Sequence, residues 1–234
     1  MEKNSKYTSV IIPAAGRGKR MGSQISKQYL DIGGKPILVH TIEKFDQSPL
    51  IHEIIVVTSK EEMEYFKNEI QLKYIFNKAL KIVPGGKERQ ESVYNGLKKI
   101  SSETEIVLIH DGARPFVSLE EIGKSVEGAR RYGACVIGVK VKDTIKICNE
   151  EGYIVSTPKR EELWAVQTPQ SFQTSIILEA HKKAEEDNFL GTDDATLVER
   201  LGYSIKILEG NYQNIKITTP EDLTIGEAIL RKRA

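Results

Sequence analysis

Short runs of β-branched and aliphatic residues alternate with longer amphipathic stretches, and this alternation constrains the fold more than any other feature of the chain. Ser9–Ile12 precedes a helical pattern from Lys35 to Phe45. Glu53–Thr58 precedes one from Glu61 to Phe76, Lys81–Val83 one from Glu88 to Ile100, and Glu105–Ile109 one from Leu119 to Tyr132. Ala134–Val139 is a further run. None of these runs alternates polar with apolar residues, as expected of strands covered on both faces. Strands of this kind separated by helices build right-handed βαβ units, which predicts an α/β fold with a mostly parallel sheet flanked by helices.

The rhythm changes after Lys140. Asp143–Cys148 and Gly152–Ser156 alternate polar with β-branched residues, and Asn149–Gly152 between them has turn chemistry. The pattern predicts a β-hairpin arm at about residues 141–160, inserted in a single domain spanning 1–234. An isolated hairpin is marginal in water, so the arm is expected to pack on a partner surface, most simply a second copy of the chain. Helices are expected again at Thr174–Asp187 and Asp194–Leu201, and strands at Ser204–Leu208 and Asn214–Thr218. A last helix is expected to open at Thr219–Pro220, with the threonine as N-cap and the proline in the first turn.

Composition excludes several classes of function. Lys and Arg number 34 against 33 Asp and Glu, a net charge of +1, which argues against bulk nucleic-acid binding but not against a local basic pocket. No apolar run approaches the ~18 residues of a membrane span. No apolar stretch of signal-peptide length precedes Pro13, so a cytoplasmic location is expected. Cys135 and Cys148 sit among apolar or β-branched neighbours and read as buried, reduced thiols. The four histidines lack the spacing of a zinc site.

In an open parallel sheet the ligand lies beyond the carboxyl ends of the strands, so the loops there carry the chemistry. The first, Pro13–Met21 with its continuation Ser26–Leu30, offers Gly16 and Gly18 for close backbone approach to an anion, and Lys19, Arg20 and Lys27 for charge. It suits a polyphosphate, although a glycine turn with solvated basic residues would read the same. In the second, Gly85-Gly86 opens a helix carrying Arg89 and Ser92, which suits an anion or a polar ring edge, or is simply a capped surface helix. The third, His110–Pro115, places Asp111 after a fully apolar strand. A lone carboxylate facing a phosphate loop is what Mg²⁺ requires, and Arg114 either holds that carboxylate in a structural pair or meets a phosphate. A fourth group comprises Thr144, Lys146, Arg160, Thr168–Gln170, Thr192–Asp194 and Lys216. Singly each reads as surface, and Asp193 or Asp194 equally as a helix cap. Together with the basic loops they imply a second anionic ligand.

These motifs occur in the order PAAGRGKRM, SKQYL, GGKERQESV, HDGARPF, VKDTIK, LWAVQTPQSF, TDDA and NIKITTPEDL, from about Thr8 to Leu230. In this the chain resembles the 2-C-methyl-D-erythritol 4-phosphate cytidylyltransferases of the non-mevalonate isoprenoid pathway. Ribitol-5-phosphate cytidylyltransferases are the nearest alternative, and a non-catalytic nucleotide-binding module is the alternative of another class. Gly112 stands where the family more often has alanine, and Lys87 where an acidic residue is common.

The resemblance implies a Rossmann-like domain of nucleotide-diphospho-sugar transferase type with a hairpin arm that interlocks in a homodimer. It implies transfer of CMP from CTP to 2-C-methyl-D-erythritol 4-phosphate with Mg²⁺, with neither nucleic acid nor membrane as partner. By the same resemblance, Arg20 and Lys27 stabilise the transition state, and Arg160 and Lys216 position the substrate phosphate. Pro13, Ala14, Ala15, Gly16, Gly18, Gly86, Arg89, Ser92 and Gly112 surround the nucleotide. Arg114, Thr144 and Thr192 contact the substrate, with Thr144 and Arg160 reaching in from the partner's arm, and Asp111 holds Mg²⁺.

Overall fold

The computed structural model describes residues 7–16 and 26–233. Seven strands form one sheet: β1 (Tyr7–Pro13), β4 (Glu53–Thr58), β5 (Ala79–Pro84), β6 (Thr104–Ile109), β7 (Ala134–Lys140), β10 (Trp164–Gln173) and β11 (Lys206–Glu209). Their spatial order is β11-β7-β10-β6-β1-β4-β5. All neighbours pair in parallel except β10, which runs antiparallel to both β6 and β7. A small hairpin, β2 (Asp31–Ile32) with β3 (Lys35–Pro36), precedes helix α1 (Ile37–Gln47).

Both faces of the sheet are covered, which is why its strands read as unbroken apolar runs. Val10, Ile12, Ile54, Val56 and Leu108 face α1 and α4 (Leu119–Tyr132) in one core layer. Ile11, Val57, Val107, Ile109 and Phe172 pack in the other with α3 (Arg89–Leu97), α5 (Thr174–Glu186) and α6 (Asp194–Arg200). Helix α4 starts from a capping box in which the Ser118 hydroxyl accepts from the Glu121 backbone N–H and the Glu121 carboxylate accepts from the Ser118 N–H. The other Glu121 oxygen accepts from the Asn211 N–H at 2.9 Å and so anchors the connection that leads from β11 back to the site.

Several elements depart from the sequence pattern. Strand β10 was not expected, because Trp164–Gln173 contains Pro169 and several polar residues. Its register slips between Val166 and Gln170, where a residue lacking an N–H does not break a ladder. Two of its buried polar side chains bond to the site loops, Thr168 to His110 and Asp111 and Gln170 to Asp193 and Asp194. Asn214–Thr218 forms no ladder: it crosses the carboxyl ends of the strands, fixed where the Ile217 N–H donates to the Ala113 carbonyl at 2.8 Å. The first helix begins at Ile37 rather than Lys35, because Gly33 and Gly34, at φ of 60° and 82°, turn the chain in the β2–β3 hairpin. The helical stretch expected from Glu61 to Phe76 is a 3₁₀ turn (Lys60–Glu62), one α turn forming α2 (Met63–Tyr65) and a π-helical segment (Phe66–Gln71). The final helix, α7, spans Pro220–Arg233 as anticipated.

The hairpin lies where the alternation placed it, as β8 (Ile147–Cys148) and β9 (Ile154–Ser156) joined through Gly152 at φ 87°. Its apolar side chains face solvent, with Ile154 at 63% and Val155 at 66% exposure. Cys148 is therefore exposed, contrary to expectation, since it sits on an arm that nothing in its own chain covers. Cys135 in β7 is buried, and desolvation pushes its thiol up to about 12. Among the described residues no helix is long and apolar enough to cross a membrane.

Candidate active site

A cavity opens at the carboxyl ends of β1, β5 and β6, where three loops meet. Its wall includes Pro13, Ala14, Ala15 and Gly16 after β1, Gly86, Arg89 and Ser92 after β5, and Asp111 and Gly112 after β6. Lys27, Gln28 and Lys216 close it from other segments. Backbone bonds lace the loops together: Ala14 N–H donates to the Val57 carbonyl at 2.7 Å, Gly85 N–H to Thr58 at 2.8 Å and Gly112 N–H to Pro13 at 3.2 Å. The Ser92 hydroxyl donates to the Glu88 carbonyl at 3.0 Å and accepts from the Gly86 N–H at 3.1 Å, which folds the double-glycine loop over the start of α3. The approach is tight enough to require glycine at position 85. A Cβ there would sit 2.8 Å from the Ala15 Cβ and 2.9 Å from the Ser92 Oγ.

Lys27 is presented by a segment anchored on both sides of its neighbours. The Gln28 amide donates to the Ala14 carbonyl, and the Tyr29 hydroxyl pairs with that of Thr58 at 3.0 Å. Burying Gln28 and Tyr29 thus places the preceding lysine on the cavity wall.

Asp111 is the electrostatic centre. Its carboxylate is buried and meets the Lys216 ammonium at 2.8 Å, the Arg89 Nε at 3.4 Å and the Arg114 Nε at 3.5 Å. Burial alone would raise its pKa, but the three cations outweigh desolvation and hold the carboxyl well below the usual carboxylate range. Asp111 is therefore an anion at neutral pH. Arg89 reaches a second buried carboxylate, Asp194, at 2.7 Å. Arg114 lies behind Asp111, its Nη1 donating to the Asn214 carbonyl at 2.7 Å.

Neighbouring His110 is fully buried, and desolvation pushes its pKa down to about 4, so it is neutral. Its tautomer follows from its partners. Nε2 faces the Arg114 carbonyl at 3.0 Å, an obligate acceptor, so Nε2 carries the proton and Nδ1 accepts from the Thr168 hydroxyl at 3.0 Å. Thr168 Oγ in turn accepts from the Asp111 N–H at 3.1 Å. Both ring nitrogens are thus engaged, Nδ1 through Thr168 with the Asp111 backbone and Nε2 with the backbone of Arg114.

Gly18 and Arg20, with Lys19, fall outside the described residues. Thr144 and Arg160 are on or beside the arm and do not line the cavity within this chain; Arg160 Nη1 donates to the Lys142 carbonyl at 3.1 Å. Thr192 is on the α6 approach, its hydroxyl paired with that of Thr196 at 3.0 Å. Asp193 caps α6, its carboxylate accepting from the Thr196 N–H at 2.8 Å. Asp194 was grouped with the site but given no role. The structure buries it against Arg89 and His181, and the side-chain Oε1 of Gln170 accepts from its N–H at 3.1 Å. Only the recurrence of polar residues in the TPQ and TDDA motifs hinted at this wiring.

The site geometry has close relatives. The family model of 2-C-methyl-D-erythritol 4-phosphate cytidylyltransferase matches residues 8–232. The enzyme of that name from Caldanaerobacter subterraneus is 53% identical over 224 residues, covering 96% of this chain and 99% of its own. That from Clostridium botulinum is 53% identical over 232 residues and 99% of each chain. Among solved structures, 4-diphosphocytidyl-2C-methyl-D-erythritol synthase from Anaerococcus prevotii superposes with a TM-score of 0.87 at 36% identity over 97% of both chains. The Thermus thermophilus 2-C-methyl-D-erythritol 4-phosphate cytidylyltransferase gives 0.79 at 34% identity, covering 96% of this chain and 99% of that one.

The packing around Gly85 sets a test. Gly85→Ala should lower the unfolding free energy by about 1–3 kcal/mol through overpacking, read by urea denaturation. Adding Ala15→Gly should recover part of the loss, because the Ala15 Cβ is the nearest obstacle. Strictly additive effects would show that the two loops do not meet as described.

Proposed function

From the premise that this chain belongs to the 2-C-methyl-D-erythritol 4-phosphate cytidylyltransferase family, we propose that it transfers CMP from CTP to 2-C-methyl-D-erythritol 4-phosphate. The products are pyrophosphate and 4-diphosphocytidyl-2-C-methyl-D-erythritol, for isoprenoid biosynthesis. The observation that carries the reading is the ionised, buried Asp111 ringed by Lys216, Arg89 and Arg114 on the wall of a glycine-shaped cavity.

The substrate's phosphate is the nucleophile, attacking the α-phosphorus of CTP. A phosphate monoester has a second pKa near ~6 and is largely a dianion at neutral pH, so it needs no base to activate it. His110 fits that requirement: it is neutral, buried and bonded at both nitrogens. The task left to the protein is to bring two anions together and to neutralise the charge that spreads over the phosphoryl oxygens and the leaving pyrophosphate. Lys27 meets the triphosphate from one wall. Lys216, at 38% the most exposed of the Asp111 partners, turns from that carboxylate toward the incoming phosphate. Arg20 is assigned to the same charge by its place in the motif. The Pro13–Gly16 backbone, Gly18, Gly86, Arg89, Ser92 and Gly112 take the nucleotide.

Asp111 is the residue that would hold Mg²⁺. Among the described residues no group of three or more acidic, histidine or cysteine side chains could hold a metal ion by itself, and Asp111 is the buried carboxylate on the cavity wall. That donor set fits an ion that takes the rest of its ligands from nucleotide phosphates and water. Bound there, Mg²⁺ would neutralise phosphate charge.

The arm is assigned to a homodimer interface, a reading supported by its exposed Ile147, Ile154 and Val155. Thr144 and Arg160 would then reach the partner's cavity, with Arg114 and Thr192 on the substrate side. Both substrates are highly charged phosphates that do not cross a bilayer unaided, which fits the cytoplasmic location expected from the sequence.

The defining assay is Mg²⁺-dependent pyrophosphate release from CTP, comparing 2-C-methyl-D-erythritol 4-phosphate with ribitol 5-phosphate. Strong preference for the former is expected, and preference for the latter overturns the substrate assignment. Lys27→Ala should lower kcat by ~10²-fold or more, the size of one lost transition-state donor, with normal turnover excluding that role. Mixing inactive Arg160→Ala with inactive Asp111→Ala chains should restore activity in heterodimers. Subunit exchange without recovery would show that the arm does not complete its partner's site.

A further inference from the structure

The other buried titratable cluster near the site lies behind α3, away from the cavity. His181, on α5, is 1% exposed, and its Nε2 stands 3.1 Å from Asp194 Oδ1. Asp194 Oδ2 accepts from Arg89 Nη1 at 2.7 Å, and Arg89 Nε points to Asp111 Oδ1 at 3.4 Å. A line of contacts thus runs from His181 through Asp194 and Arg89 to the centre of the site. Burial disfavours the charged form of Asp194, but Arg89 and His181 outweigh it and hold the carboxyl below its ordinary value. As an anion Asp194 can only accept, so Nε2 of His181 carries the proton.

We propose that His181 is a positioning residue for nucleotide binding, fixing the Asp194 carboxylate and through it the guanidinium of Arg89. The inference rests on the reading that Arg89 faces the nucleotide. The imidazole makes one polar contact only, because Nδ1 is buried without a hydrogen-bond partner. An aliphatic side chain would fill the same space without an orphaned polar atom; the ring also stacks on Tyr94 of α3 at 5.6 Å and 16°, a contact that Leu, Asn and Gln would all lose, so a comparison among them isolates the Nε2–H donor. What the ring supplies is the Nε2–H donor at one oxygen of Asp194, which stops the carboxylate rotating about its bond and leaves the other oxygen aligned with Arg89.

Other contacts hold the helices together without that hydrogen bond. Gln90, beside Arg89, donates to the Phe189 carbonyl and accepts from the Gly191 N–H, both at 2.9 Å. Removing the donor should therefore disorder the guanidinium without detaching α3 from the α5–α6 connection.

The test compares His181→Leu and His181→Asn, which lack a donor that reaches Asp194, with His181→Gln, whose terminal amide stands close to the place of Nε2. Leu and Asn should raise KM for CTP about tenfold, as for loss of a charge-assisted hydrogen bond behind a binding contact, with kcat within about twofold. KM for the alcohol phosphate should stay unchanged, and Gln should recover most of the CTP affinity. In the substrate-free protein the NMR resonance of the Arg89 Nε–H should shift in Leu and Asn and return in Gln. An unmoved resonance overturns the inference whichever nucleotide the enzyme uses. An unchanged KM for CTP in Leu, a Gln variant as impaired as Leu, or parallel changes in both KM values would overturn it equally. The Asn variant carries the comparison if Leu does not fold.

Discussion

One buried carboxylate organises this molecule. Asp111 stands just after β6 among Arg114 of its own loop and Lys216 and Arg89 from two other places in the chain. Without the carboxylate their charges would repel one another in a space largely closed to water, where Coulomb terms are strong. With it, and with Asp194 on Arg89, three cations face two anions, a net of 3 − 2 = +1. The site is thus assembled by internal ion pairs yet remains positive toward an incoming polyphosphate. Buried pairs of this kind are weak evidence for stability, because desolvation opposes the Coulomb gain, but breaking one partner is expensive. Their value here lies in holding charge ready before the anion arrives.

That arrangement depends on the sheet being covered on both faces. Alternate residues of β1 enter opposite cores, Val10 and Ile12 in one layer and Ile11 in the other, so the strand has no freedom to shift register. The loops at its carboxyl end are then fixed by backbone bonds from Ala14 and Gly112, and close approach is permitted by glycine where β5 meets α3. Placing charges within about 3 Å of one another requires a frame of this rigidity, since transition-state stabilisation relies on dipoles and charges that need not reorganise.

The strands and most helices were legible because burial on two faces leaves an unmistakable apolar run. The site was legible in part for the same reason: glycines, a lone aspartate and clustered basic residues are conspicuous directly after such runs. Strand β10 was not, because it buries polar residues that bond inside the fold, Thr168 to His110 and Asp111 and Gln170 to Asp193 and Asp194. A strand whose polar side chains serve a neighbouring loop loses the hydrophobic signature by which strands are read. Asn214–Thr218 misled in the opposite direction. Its alternation looks like a strand, but the polar members are those that reach Thr168 and Asp111. The Arg89–Asp194–His181 line joins Arg89 to residues of the α5–α6 segment, with Asp194 lying 105 positions away, a separation at which no local spacing rule operates.

The arm expresses the same logic at the level of assembly. A chain that exposes Ile147, Ile154 and Val155 on one hairpin leaves apolar surface that only another surface can cover. Lys142, whose carbonyl Arg160 holds, lies over the Tyr212 ring at 3.6 Å, and Tyr212 in turn bonds the Lys140 carbonyl. The base of the arm is therefore tied to the same β11–α7 connection that delivers Lys216. The arm and a cation of the site thus rest on one short segment, residues 211–216, which is held to the arm's base by Tyr212 and to Asp111 by Lys216.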